Sequence, residues 1–106
     1  MTAKSTITKE FNNLYQGMIE LCRRVYAEEP YPRKQCVTWF VEYLGKILGS
    51  EEYKQRLNAE GIKYILEMSS NIKKSELSNK EQKNKLEECS EELLIMLNEL
   101  EQTKSK

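Results

Sequence analysis

The sequence predicts an all-α protein with the architecture of an antiparallel up-and-down four-helix bundle. Apolar residues recur every three or four positions along most of the chain, as on one face of an α-helix. No segment shows the apolar–polar alternation of a β-strand. Four helical segments with short connections favour antiparallel neighbours. At 106 residues the chain is predicted to form one domain, residues 1–106, with frayed ends at 1–5 and 103–106.

Two other arrangements fit the same pattern. The third segment can be a kinked helix in a three-helix core. The chain can also form a dimer of helical hairpins, because heptad spacing does not show whether two helices belong to one chain or to two.

The first helix is predicted over residues 6–28. Its apolar side chains follow the alternating four-and-three spacing of a heptad seam: Ile7, Phe11, Leu14, Met18, Leu21 and Val25. Pro30 and Pro32 are expected to end this helix, because the residue before a proline disfavours helical backbone angles.

The second helix is predicted over Arg33–Leu48. Its main seam consists of Val37, Phe40, Leu44 and Ile47, and a second apolar row consists of Cys36, Trp39 and Tyr43. Gly49 is expected to end the helix in the left-handed conformation. Ser50 is expected to be the N-cap of the following helix.

The segment from Ser50 to Lys74 is predicted as one kinked helix, with a division near Asn58 and Gly61 as the alternative. Its apolar face comprises Tyr53, Leu57, Tyr64, Ile65, Met68 and Ile72.

The last helix is predicted over residues 79–102, after a capping box formed by Ser78 and Glu81. Its seam comprises Leu86, Cys89, Leu93, Met96 and Leu100, widened by Leu94 and Leu97.

The composition excludes most catalytic chemistry. The chain has no His, and its 17 acidic residues are all Glu. Nucleophile activation by His and metal ligation by imidazole are therefore absent. The cysteines, Cys22, Cys36 and Cys89, form no CxxC pair and are expected to be buried side chains. We expect no catalytic residues, no cofactor, no metal site and no enzymatic activity.

The chain is predicted to be cytoplasmic. Its first residues lack the apolar stretch of a secretory signal, and an odd number of cysteines is typical of a reducing compartment. The most apolar segment, residues 36–49, is too short for a membrane span, which needs about 20 residues.

Three aromatic residues are the candidate partner-binding residues. Trp39 and Tyr43 lie off the main seam of the second helix, and Tyr31 precedes them in the turn. Tryptophan and tyrosine are favoured as interface anchors. The alternative is that the second helix is central and that this row packs inside the protein.

Four basic residues form a candidate anion-binding tip: Arg23, Arg24, Arg33 and Lys34. A phosphate or an acidic peptide could bind there. The alternative is a solvated tip whose charge is balanced by Glu28 and Glu29. Because the formal net charge is zero, nucleic acid is an unlikely partner for the chain as a whole.

The last helix is acidic, because six Glu and no Lys or Arg occur between Leu86 and Thr103. Basic side chains of other helices can offset this charge. The alternative is a docking face for a basic protein.

These observations predict a small non-catalytic protein–protein interaction module, such as an adaptor, inhibitor, immunity protein or chaperone-type regulator, that acts through helix-face binding. Its partner is another protein or a second copy in a homodimer. The alternative is a nucleic-acid-associated regulatory protein that uses the basic tip. In size and layout the chain is similar to bacteriocin immunity proteins, phage-encoded regulators and secretion chaperones, a likeness of architecture that assigns no residue roles.

Overall fold

The computed structural model describes the backbone of residues 2–27 and 32–104. These residues contain no strand, which confirms the all-α prediction, whereas the four-helix bundle arrangement stays a prediction. The chain divides into two compact units, Met1–Arg56 and Leu57–Lys106. The described part contains five helices: α1 (Thr2–Val25), α2 (Arg33–Leu48), α3 (Glu51–Lys54), α4 (Ala59–Lys74) and α5 (Lys80–Lys104).

Helix α1 begins and ends earlier than predicted. After Val25, the amides of Tyr26 and Ala27 bond to the carbonyls three residues earlier, at 3.2 and 3.3 Å, so the last turn tightens and the helix ends. Pro30 lies outside the described residues, as do the side chains of 1–5 and 103–106, whose predicted fraying is therefore untested.

The first unit is built on the pair α1 and α2, and both predicted seams are largely confirmed. Ile7 and Leu14 are only partly buried. Gly17, eight residues before the end of α1, lies next to Tyr43, ten residues after the start of α2, as expected for an antiparallel helix pair. The buried apolar side chains of this pair are Phe11, Met18, Leu21, Cys22, Val25, Cys36, Val37, Phe40, Leu44, Ile47 and Leu48.

The short helix α3 is held against α1 by polar contacts. The Tyr53 hydroxyl donates to Oε2 of Glu10 at 3.0 Å, and Nε of Arg56 donates to the Thr8 hydroxyl at 3.2 Å. The predicted cap of α3 is confirmed, since Oγ of Ser50 accepts from the Tyr53 amide at 3.3 Å. These contacts join the last residues of the first unit to helix α1.

Two predictions about the helix ends in this region are wrong. Gly49 keeps right-handed angles, φ −81° and ψ −1°. The single kinked helix over Ser50–Lys74 is also wrong, because α3 and α4 are separate. Asn58 is extended at φ −101° and ψ 171°, a conformation that cannot continue a helix, and its side chain accepts from the Gly61 amide at 2.7 Å. Gly61 lies inside the first turn of α4.

The second unit is a helical hairpin in which α4 packs against α5. Near the turn, the Lys73 ammonium pairs with the Glu87 carboxylate. Tyr64, which was predicted on the buried face, is 40% exposed. The buried apolar side chains of the hairpin are Leu57, Ala59, Ile62, Ile65, Met68, Ile72, Leu86, Cys89, Leu93 and Leu97.

The capping box of α5 lies one residue beyond the predicted position. The Gln82 amide donates to Oδ1 of Asn79 at 2.8 Å, and Oε1 of Gln82 accepts from the Asn79 amide at 2.9 Å. The predicted pair of Ser78 and Glu81 is wrong, because Ser78 is buried and its hydroxyl donates to the Ile72 carbonyl at 2.8 Å. Ser78 therefore joins the turn to the end of α4.

Substitution of Asn79 by Ala tests this cap. We expect Asn79→Ala to lower the free energy of unfolding by about 1 kcal/mol, because the Gln82 amide loses its side-chain acceptor. Glu81→Ala is the matched control: it removes a first-turn carboxylate that favours the helix dipole and should cost less than Asn79→Ala, about 0.5 kcal/mol. Urea denaturation followed by circular dichroism measures both. A larger loss for Glu81→Ala would restore the predicted pairing.

Candidate functional site

Trp39 lies at the margin of the first unit. Its side chain is 40% exposed, whereas Cys36 and Phe40 on the same helix are buried. The exposed part of such a tryptophan can contact a partner while the rest of the side chain stays packed in the protein. The structure therefore leaves Trp39 available as a partner contact.

Tyr43 packs on α1. A Cβ atom placed on Gly17 would lie 2.8 Å from Cε2 of Tyr43, so the ring occupies the space that the absent side chain leaves. The Lys46 ammonium lies 5.8 Å from the centre of the same ring. Tyr31, the third predicted contact, lies outside the described residues. Trp39 and Tyr43 thus share a helix but have different surroundings.

The basic tip is partly held by contacts within the chain. The Arg33 guanidinium donates to the Ala27 carbonyl at 2.8 Å. Arg23 and Arg24 lie 3.8 and 3.5 Å from the Glu20 carboxylate. Lys34 is exposed, and Glu28 and Glu29 lie outside the described residues. Exposed ion pairs of this kind are weak, so they would not prevent an anion from competing.

A groove in the first unit has a volume of about 580 Å³ and is lined by Glu10, Asn13, Leu14, Lys46, Gly49 and Tyr53. The hydrogen bond to Glu10 raises the pKa of Tyr53 above its usual 10.0, because the neutral phenol is the donor. The carboxylate of this groove is thus already bonded to a neighbouring hydroxyl. Its residues bring together one carboxylate and one ammonium, not a pair of carboxylates for acid–base catalysis.

All three cysteines, Cys22, Cys36 and Cys89, are buried as free thiols, which confirms their predicted burial. Burial raises the pKa of Cys22 to about 11 and also raises that of Cys89 above 9.0. The thiolate is the nucleophilic form, so these two thiols are poorly reactive at neutral pH.

Helix α5 exposes large aliphatic side chains in the second unit. Leu94 is 48% exposed and Ile95 is 60% exposed, and Leu100 is 36% exposed. The prediction had placed Leu94 and Leu100 on the apolar seam, and for these two residues it is wrong. Five consecutive apolar residues, 93–97, extend over more than one turn of about 3.6 residues, so they cannot all face the hairpin. This run is the signal by which the sequence could have identified Ile95.

Carboxylates surround these two aliphatic side chains. Leu94 and Ile95 are consecutive, so their side chains point about 100° apart around the exposed side of the helix, with Glu91 between these directions one turn earlier. Five glutamates lie on that face within two turns on either side: Glu87, Glu88, Glu91, Glu99 and Glu101. Leu94, Ile95 and these glutamates are together called the α5 surface.

No protein-family model, curated protein or solved structure matches the chain. Among residues 2–27 and 32–104, no helix is long and apolar enough to cross a bilayer. Within the same residues, no three His, Cys, Asp or Glu side chains gather where they could hold a metal ion.

A double-mutant cycle tests the packing of Tyr43. In a Tyr43→Ala background, Gly17→Ala should raise the free energy of unfolding by about 0.5–1 kcal/mol, the usual difference between Ala and Gly inside a helix. In the wild-type background the new methyl group meets the ring at 2.8 Å, so the gain should be smaller or reversed. Denaturant unfolding measures all four proteins. Equal effects in both backgrounds would contradict this contact.

The pKa of Cys22 predicts a loss of stability in alkali. The thiol titrates near pH 9.0 in the unfolded chain and near pH 11 in the folded chain. Between these values the unfolded state binds fewer protons, so stability falls as the pH rises. We expect Cys22→Ala to show a smaller fall between pH 9 and pH 11 in denaturant unfolding. Identical slopes for the two proteins would exclude Cys22 as a contributor.

Proposed function

We propose that this protein is a small non-catalytic interaction module that binds another protein through the exposed face of helix α5. The observation that carries the proposal is the exposure of Leu94 and Ile95 beside each other on one helix. Adjacent exposed aliphatic side chains gain free energy when a partner removes them from water. An adaptor, inhibitor, immunity protein or chaperone-type regulator would use such a face.

The chemistry of the other described sites supports a non-catalytic function. The groove of the first unit contains the carboxylate of Glu10, which is bonded to Tyr53. Cys22 and Cys89 are buried thiols with raised pKa values. The chain has no His or Asp, and these carboxylate and thiol groups are already bonded or buried, which does not favour an acid–base or nucleophilic role for them.

Trp39 is a second candidate contact, because its side chain is 40% exposed in the first unit.

The nucleic-acid alternative has less support. Arg33 is bonded to the backbone, and Arg23 and Arg24 lie beside Glu20. The proposal includes the arrangement of the helices as an up-and-down four-helix bundle. It also includes a cytosolic location, which the three free thiols support. A homodimer remains the competing use of the same apolar surface.

The double variant Leu94→Gln/Ile95→Gln tests the proposal. We expect it to lose the partners that the tagged wild-type chain captures from its host, because the apolar contact is removed. The free energy of unfolding should change by less than about 0.5 kcal/mol, since both side chains are exposed. Quantitative mass spectrometry and denaturant unfolding provide the two measurements.

Tyr26→Gln is the matched control, because it removes another large exposed apolar side chain, one that is 53% exposed, from the first unit. This variant should capture the same partners as the wild type. Trp39→Ala in parallel shows whether Trp39 also contributes. Unchanged capture by the double variant would refute binding through α5.

A further inference from the structure

The order of charges along α5 opposes the helix dipole. Lys80, Lys83 and Lys85 outnumber Glu81 in its first two turns, and Glu99 and Glu101 outnumber Lys104 near its C-terminal end. Positive charge at the N-terminus and negative charge at the C-terminus of a helix are both unfavourable. This arrangement therefore does not stabilise the helix that contains it.

Neighbouring carboxylates add a second cost. Glu88 and Glu91, and also Glu87 and Glu91, are separated by three or four residues and face the same side of the helix. Like charges at this spacing destabilise a helix by a few tenths of a kcal/mol per pair. Lys73 offsets Glu87, but residues 87–103 contain no Lys or Arg. Glu91 therefore has carboxylates and no cation within one turn of it on α5.

The neighbouring helix does not reverse the sign of the surface. Over the whole of α4, Lys63, Lys73 and Lys74 outnumber Glu60 and Glu67 by one charge, which is far fewer than the five glutamates of the α5 surface. The aliphatic pair at the centre of the α5 surface is thus surrounded by net negative charge within the second unit.

A second copy of the chain is a poor occupant of this surface. If the aliphatic pairs of two copies meet in parallel, Glu91 lies beside Glu91. If they meet antiparallel, Glu88 lies near Glu101. Both arrangements bring carboxylates together while they are being desolvated, which is costly without a paired cation. The charge therefore selects a partner of opposite sign.

We propose that the α5 surface binds a basic amphipathic helix, with aliphatic side chains on one face and Lys or Arg along its flanks. This inference rests on the proposed function and specifies its partner. The apolar face of such a helix covers Leu94 and Ile95. Its cations lie against Glu88 and Glu91 and relieve their repulsion, and helix-in-groove recognition commonly combines contacts of these two kinds.

The test uses the full chain and two synthetic helical peptides of equal length. Both carry Leu at one face, and the flanking positions are Lys in the first peptide and Glu in the second. Fluorescence anisotropy measures binding at low and high salt. We expect saturable binding of the Lys peptide that weakens with salt, and no saturable binding of the Glu peptide.

Variants locate the binding. Leu94→Gln/Ile95→Gln should weaken binding of the Lys peptide by about tenfold or more, because it removes the central apolar contacts. Glu88→Gln/Glu91→Gln should weaken it about fivefold at low salt. Glu76→Gln/Glu81→Gln, which removes the same charge from exposed positions near the turn of the hairpin, is the matched control and should leave binding unchanged.

The outcomes separate this inference from the proposed function. Equal binding of both peptides, lost only in the aliphatic variant, would overturn the basic partner and retain an apolar binding face. Binding that falls equally in both charge variants would overturn the assigned surface, as would no binding at all. If light scattering shows a dimer that the aliphatic variant converts to a monomer, the occupant of the α5 surface is a second copy of the chain and not a basic helix.

Discussion

Burial of one apolar stripe on each long helix against its neighbour is the interaction on which the rest of this structure depends. Phe40, Leu44 and Ile47 of α2 are fully buried, as are Ile65 and Leu93 in the second unit. Each such side chain contributes about 1.5–3 kcal/mol relative to exposure, whereas a cap or exposed ion pair contributes about 1 kcal/mol or less. The caps and polar contacts therefore adjust helix ends within units that apolar packing already holds together.

The same packing decides which side chains remain outside. Tyr43 fills the space next to Gly17 and becomes part of the helix pair, while Trp39, one turn earlier, is partly in solvent. On α5, Leu93 and Leu97 take the buried positions and leave Leu94 and Ile95 exposed. A helix has room for only part of an apolar run on its packed side, and the remainder is available for binding.

The α5 surface combines two features that do not help the chain to fold. Exposed aliphatic side chains gain nothing from folding. Glu87 and Glu88 lie at repulsive spacings from Glu91, and Glu99 and Glu101 lie towards the unfavourable end of the helix dipole. A basic helical partner would stabilise both features at once. This shared explanation connects the proposed function with the proposed chemistry of the partner.

The sequence by itself determined the helical class, the bounds of α2 and most of the buried seam, because these follow from local periodicity. It also indicated the acidic character of α5 through composition alone. Only the tertiary structure decided that α3 and α4 are separate, that Asn79 caps α5, and that Leu94 and Leu100 are exposed. The first outcome depends on Asn58 acting as a cap, the second on the burial of the Ser78 hydroxyl, and the third on how many side chains the neighbouring helix covers. Apolar periodicity alone decides none of these, since they are set by hydrogen bonds at helix ends and by packing between helices.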